Sequence, residues 1–446
     1  MKQAFRRASV GGLTVVALSL SVLATTLALL TAPLASATAA ADVDRAFKAF
    51  WEARTPQDAA KVVPDIVASS VTFDEALKRL QDGRPYSPGV PKGVIRSSYR
   101  ANGREFFYAV NVPESYDPAR RYQVRFQLHG GVSRESNGPR GDGTIGLLAG
   151  AEQIYVIPYG WTDAPWWGAA QIENFRTILD RVKRTYNVDE NRVVVAGVSD
   201  GGTGVYYVAM RDTTPYSSFL PLNGFIMVLD TVNAGDLFPN NLLNKPFFIV
   251  NGGQDPLYPT TVVSPYVEHL KMNGVEVVYQ PQPNGAHNTA WWPRVKDSFE
   301  AFVRSHARKP VPDTLTWESR GTPEDNRAHW LIIDKLAPRG RNDALLEDLN
   351  QVGRSQTLFD RRRPSGRVDL TRAGNLVKAN SRGVAEFTLL LSPEVFDFSK
   401  PVRVETNGRL AFEGLVERSV ATLATWAARD NDRTMLFGAE LHVVVR

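Results

Sequence analysis

Ser199 stands between two glycines in Gly197-Val198-Ser199-Asp200-Gly201, Asp255 follows the pair Gly252-Gly253, and His287 closes Asn284-Gly285-Ala286-His287. A serine hydroxyl is a poor nucleophile until a base accepts its proton, and that base needs a carboxylate to fix its tautomer and stabilise its charge. Serine, acid and histidine in that chain order are the parts required for attack on an acyl carbon. Asp230, at the end of FIMVLD, is a competing acid, and Asp255 ranks above it because it follows the penultimate strand of the series. Of the other histidines, His129 lies in a glycine turn, His269 and His306 in helical patterns, and His329 and His442 in later strands. Attack also creates an oxyanion that needs donors. The backbone N–H of Asp200 is one candidate, and Leu128-His129-Gly130-Gly131 offers a second from Gly130 or Gly131, with His129 structural in the turn.

These groups need a scaffold that delivers them to one edge. Valines 193 to 195 read as a strand buried on both faces, and VYYVAMR after Gly204 reads as a helix, so Ser199 sits at a strand-to-helix corner. An ordinary glycine-rich turn is the plain alternative at this corner. From Tyr122 strand signals alternate with helical ones: YQVRFQLHGG, QIYVIPYGW, a helix bearing Ile172, Phe175 and Leu179, RVVVAG, a helix at 202 to 210, FIMVLD, KPFFIVNGG, a helix near 262 to 273, VEVVYQP, and a closing helix with Val295, Phe299 and Phe302. That alternation predicts a doubly wound, mainly parallel α/β sheet with ligands at the carboxyl ends of its strands. Asp255 and His287 each fall just past such an end. Tyr159, Trp161, Trp166, Trp167, Tyr258, Trp291 and Trp292 cluster near the same loops, with Trp166 and Trp167 favoured as pocket or lid residues and edge packing as the alternative.

The chain begins with Lys2, Arg6 and Arg7, an apolar run from Val10 to Pro33, and Ala35-Ser36-Ala37, the pattern of a secretory signal peptide over 1–37; an uncleaved anchor is the alternative. No later stretch is apolar enough to span a bilayer, so a secreted or periplasmic protein is expected. The formal charge of +5 falls to +2 once those three basic residues leave, which gives nucleic-acid binding no support. The cluster Arg361-Arg362-Arg363 reads as a solvated loop. Cysteine is absent, which excludes disulfides and thiolate chemistry. Residues 42–93 hold an N-terminal helical segment with Pro56 and Pro64 as breaks, followed by hairpin strands around Asn102-Gly103. Lys309 to Asp313 is a stiff linker, and 313–446 forms a smaller β-rich domain with a second hairpin at Asn407-Gly408. That domain contributes none of the catalytic pieces and is expected to bind a surface, a polymer or a partner, with Trp317 and Trp330 as contacts or as core.

LHGG at 128 to 131, GVSDGG at 197 to 202, GGQDPLYP at 252 to 259 and GAHNTAWW at 285 to 292 are the motifs of a family. The chain over 94–308 resembles the α/β-hydrolase superfamily, most of all its secreted polyhydroxybutyrate-depolymerase and feruloyl esterases, with prolyl-oligopeptidase-type catalytic domains close behind. The resemblance implies a triad of Ser199, Asp255 and His287, an oxyanion site around Gly130, Gly131 and Asp200, and no metal or organic cofactor. It implies hydrolysis of a small or polymeric ester through an acyl-enzyme. A serine peptidase and a non-catalytic binding protein on a hydrolase scaffold are the alternatives.

Overall fold

The computed structural model describes residues 40–135, 147–232, 234–235, 237–338, 349, 351–352, 356–359 and 364–446. The expected signal peptide, residues 136–146 beyond the glycine turn at 130–131, and Arg361 to Arg363 lie outside the described residues. Threonines start two of the first helices. In α2 (Pro56–Ala68) the Thr55 oxygen accepts from Asp58 N–H at 3.1 Å, and in α3 (Phe73–Asp82) Thr72 accepts from Glu75 N–H at 3.2 Å. Helix α1 (40–52) precedes them. Pro64 lies inside α2 and does not break it. Its neighbours Val63 and Ile66 are buried in a cluster shared with the C-terminal helix, and that packing holds the turn together.

An eight-stranded sheet carries the centre of the molecule. Strands β1 (Gly93–Ala101) and β2 (Arg104–Val112) form an antiparallel hairpin through Asn102 and Gly103, both at positive φ as a two-residue turn requires. Next come β3 (Tyr122–Leu128), β4 (Ile154–Pro158), β5 (Val188–Val198), β6 (Ser218–Leu222), β7 (Phe247–Ile249) and β8 (Val277–Tyr279). The order is β1-β2-β4-β3-β5-β6-β7-β8, parallel from β4 onward. Helices α4 (Ala169–Thr185), α5 (Asp200–Arg211), α7 (Thr260–Met272) and α8 (Trp292–Ser305) connect or follow these strands, with a single turn α6 (Val228–Thr231) before α7. Strand β6 corrects the expectation at FIMVLD. The strand is SFLPL, and 228–231 is helical. Pro221 hides the strand from the sequence, yet its carbonyl still accepts from Val250 N–H at 3.2 Å, so the sheet loses only one donor there.

Clusters on the two faces of the sheet form the core. Under α8 one charged pair is sealed into it. Arg125 Nη2 donates to Glu300 at 2.6 Å, with the two side chains 1% and 7% exposed, and the guanidinium lies over the Phe299 ring at 4.6 Å. Removing one partner leaves an uncompensated buried charge. Glu300→Ala is therefore expected to lower the urea-unfolding free energy by about 3–5 kcal/mol, and a loss indistinguishable from a surface substitution would contradict this account.

After Val311 the described residues form a two-stranded ribbon of Gln351–Val352 with Gln356–Thr357 and two larger sheets. One orders the strands Arg409–Gly414, Val402–Thr406, Leu376–Arg382, Gly366–Ala373 and Thr314–Ser319, and the other orders Arg327–Ala328, Leu331–Leu336, Val384–Leu391 and Ala439–Val444. Their buried residues share one apolar cluster that includes Trp317 and Trp330, 1% and 0% exposed, so both tryptophans are core. This domain is docked rather than strung on a linker. Arg308 reaches Asp432 at 2.7 Å and Thr434 at 2.9 Å, Arg433 reaches Glu190 at 2.6 Å, and Asn240 donates to Glu318 at 2.8 Å. Burial works to raise the Asp432 carboxyl, but Arg308 and Lys183 beside it hold it well below the usual carboxylate range. Helix α9 (Val420–Asp430) packs Leu423, Ala424 and Ala427 against Ala59 and Ile66, so the N-terminal helices share a core with the C-terminal domain. Among the described residues no helix is long and apolar enough to cross a membrane.

Candidate active site

Strand β5 ends at Val198 and α5 begins at Asp200, which leaves one residue for the corner. That residue is Ser199, at φ 58° and ψ −120°, a backbone state rare for a residue with a side chain and a mark of local strain. The turn is tight enough to exclude side chains on either side. A Cβ on Gly197 would lie 2.3 Å from Gly201 O, and one on Gly201 would lie 2.3 Å from Leu128 O. The corner is locked by Ser199 N–H donating to Leu222 O and Thr203 N–H donating to Ser199 O, both at 2.9 Å.

Two further loops meet this corner. After β7, Gly253 N–H donates to Gln282 O at 2.7 Å and Gln254 N–H to Gly285 O at 2.9 Å, stitching the loop of Asp255 to the loop of His287. Ser199 Oγ lies 2.7 Å from His287 Nε2, and His287 Nδ1 lies 2.7 Å from Asp255 Oδ2. An ionised acid can only accept, so Nδ1 carries the proton and Nε2 accepts the Ser199 hydroxyl hydrogen bond. Asp255 is fully enclosed, and its other oxygen accepts from the N–H groups of Leu257 at 2.8 Å and Tyr258 at 3.0 Å. With the His287 contact these bonds give both carboxylate oxygens a partner in an enclosed position. The Tyr258 ring stands 5.7 Å from the His287 ring, edge on. Asp230, the rival acid, is exposed at the end of α6 and makes no contact with His287.

The glycine turn after β3 lies against the serine, since a Cβ on Gly130 would be 3.0 Å from Ser199 Cβ. The N–H groups of Gly131 and Asp200 have no acceptor among the described residues. Val132 N–H is already bonded to Asp200 Oδ2 at 2.9 Å. This carboxylate clamp escapes the sequence reading, which uses only the backbone of Asp200; an acid in the first turn of a helix is favoured anyway and so carries no separate signal. Asn223 is also absent from that reading. Its Nδ2 donates to Asn288 O at 2.8 Å and ties the end of β6 to the histidine loop.

His129 holds the turn from beneath. Its Nδ1–H donates to Gly130 O at 2.9 Å and its Nε2 accepts from Gly160 N–H at 3.0 Å. Burial pushes the ring down to about 4, the Gly130 bond opposing and the Arg134 charge adding to the shift. The folded state thus binds fewer protons than the unfolded one between about 4 and the free value of about 6.5. The stabilisation from this ring is complete above that window and is lost as pH falls through it. Denaturant midpoints are expected to drop from pH 6.5 to 4, with a shallower drop in His129→Gln. An equal slope in that variant would remove His129 as a source.

Trp166 does not line a pocket. It is 0% exposed, its indole N–H donates to His129 O at 2.8 Å, and its ring meets the His129 ring at 4.9 Å, so it supports the glycine turn from below. Trp167 is half-buried against the main core, and Trp161, Trp291 and Trp292 are buried as well. The indole N–H groups of Trp166 and Trp292 find the carbonyls of His129 and Ala149 inside the protein, a relation that clustering near loops does not reveal, while Trp291 N–H is buried with no partner among the described residues. Among the described residues no group of three or more His, Asp or Glu side chains is arranged to hold a metal ion.

No protein-family model matches the chain. It is similar to "Probable feruloyl esterase C" of Aspergillus terreus, 29% identical over 133 residues that make up 28% of this chain and 48% of that protein. The match therefore spans about half the length of the curated relative. Among solved structures, esterase 2 of Thermogutta terrifontis is similar at 14% identity and a TM-score of 0.39, covering 49% of this chain and 97% of that one. Est1E from Butyrivibrio proteoclasticus is similar at 15% and 0.37, covering 47% and 98%. With its strand order and its serine at the turn between β5 and α5, the chain has the fold of the α/β-hydrolases and resembles their esterases.

Proposed function

We propose that the protein is a serine hydrolase that cleaves carboxylic esters. The observation that carries this reading is the continuous relay from Asp255 through His287 to a strained, glycine-flanked Ser199, with both contacts at 2.7 Å. In this reading Ser199 Oγ attacks the ester carbonyl carbon while His287 Nε2 takes its proton. The carbonyl oxygen becomes an oxyanion facing the N–H groups of Gly131 and Asp200. The tetrahedral intermediate then expels the alkoxide, which receives the proton from His287 and leaves as an alcohol. Water hydrolyses the acyl-enzyme by the same path, its proton passing through His287 back to Ser199 as the acid departs. Asp255 stabilises the imidazolium in both halves. The similarity to a feruloyl esterase supports an ester rather than an amide as substrate.

The basic, apolar and small-residue pattern of residues 1–37 supports export, and the N-terminal sequence of the mature protein tests it. The function is tested by fluorophosphonate labelling followed by peptide mapping, with p-nitrophenyl butyrate and a prolyl p-nitroanilide as paired substrates. Labelling of Ser199 and a higher specificity constant for the ester are expected. An unlabelled serine would leave a binding protein on this scaffold, and an amide constant equal to or above that of the ester would make it a peptidase.

A further inference from the structure

We infer that Arg134 is a positioning residue that sets the direction of the oxyanion donor in the glycine turn. Its guanidinium holds two successive carbonyls of that turn: Nε donates to Gly131 O at 2.5 Å and Nη2 to Gly130 O at 2.6 Å. Within one trans peptide the C=O and N–H point in opposite directions. Holding Gly130 O towards Arg134 and His129 therefore turns the Gly131 N–H to the far side of the turn. The next peptide is fixed at both ends, its carbonyl on Arg134 Nε and its Val132 N–H on Asp200. Between two clamped peptides one donor, Gly131 N–H, is left without an acceptor among the described residues.

The clamp is itself anchored. Arg134 O accepts from Thr162 N–H at 3.1 Å and from Thr162 Oγ at 2.9 Å, and the guanidinium lies 5.6 Å from the centre of the Tyr159 ring. The planar fork of arginine presents two donors to two acceptors in one fixed geometry, whereas a lysine ammonium is a flexible point charge without that geometry. Gly131 sits at φ 63°, and a glycine pair has little intrinsic preference for one peptide orientation, so a fixed donor needs an outside constraint of this kind. Arg134 touches no reacting atom and acts through the turn. Being exposed, it is also a position where substitution spares the core.

This proposal rests on the hydrolase reading, and its test separates the two. Wild type, Arg134→Met, Arg134→Lys and Arg134→Ala are compared with p-nitrophenyl butyrate, and affinities are measured for a trifluoromethyl ketone that forms an oxyanion on the enzyme. Misplacing a donor by a fraction of its bond length costs about a hundredfold. Arg134→Met is expected to lose that factor in kcat, with KM nearly unchanged, and to bind the ketone more weakly by the same factor. Arg134→Lys is expected to lose less, and added guanidinium at concentrations that leave the protein folded is expected to restore part of the kcat of Arg134→Ala. A methionine variant with wild-type kcat, or one whose kcat falls while ketone affinity holds, overturns the proposal and leaves the hydrolase reading standing. A wild-type protein that is inactive and unlabelled by fluorophosphonate overturns both.

Discussion

Ser199→Ala is expected to lower kcat on a p-nitrophenyl ester by about a millionfold and to leave the unfolding free energy within about 0.5 kcal/mol of wild type. The substitution deletes one oxygen and its contact to His287 Nε2. The backbone at φ 58° is imposed by the corner, by Gly197 and Gly201 and by the bonds to Leu222 and Thr203, and alanine meets the same constraint. Binding and the oxyanion donors survive, so a residual rate about a thousandfold above water is expected. The variant must also stop reacting with a fluorophosphonate. Turnover within tenfold of wild type, measured on protein free of the parent enzyme, would remove Ser199 from the mechanism.

The strain at Ser199 links the fold to this prediction. Strand β5 is buried on both faces and paired on both sides, by β3 and by β6, so its end cannot relax. A strained residue persists only where its surroundings over-determine it, and here they do so in order to lift one hydroxyl above the sheet edge. A helix then starts within one residue, which places its N-terminal N–H groups next to the serine.

Residues whose type is restricted by chemistry were the most legible in the sequence. Ser199, Asp255 and His287 each follow a strand end, and the structure brings all three together. The hairpins at Asn102-Gly103 and Asn407-Gly408 were equally legible, because both turns demand positive φ at two successive residues. Where identity depends on a distant partner the sequence carried little. Trp166 finds its acceptor at His129, and Asp200 finds Val132 N–H across the turn. Neither relation has a spacing. The docking of the C-terminal domain was hidden for the same reason, since Lys183, Glu190 and Arg308 meet Asp432 and Arg433 through contacts that no periodicity announces. Strand β6 was missed because Pro221 mimics a loop.

Asp255→Asn is expected to cost about ten-thousandfold in kcat with little change in KM and no loss of the folded state. The carboxylate accepts three bonds: from His287 Nδ1–H and from the N–H groups of Leu257 and Tyr258. An asparagine can keep the two backbone bonds with its carbonyl oxygen, which preserves the loop. Its amide then faces the histidine with N–H groups, and the ring responds by carrying its proton on Nε2 instead of Nδ1. A protonated Nε2 cannot accept the Ser199 proton, and the relay runs the wrong way without any atom having moved far. The imidazolium formed in the transition state also loses its counter-charge in an enclosed site, where such a charge matters most. Asp230→Asn is the matched control, because that carboxylate is exposed on α6 and touches neither catalytic loop. Its kinetics are expected to match wild type. If Asp230→Asn were the crippled variant and Asp255→Asn the active one, the acid role would pass to Asp230 and the 2.7 Å contact between Asp255 and His287 would have to be structural alone.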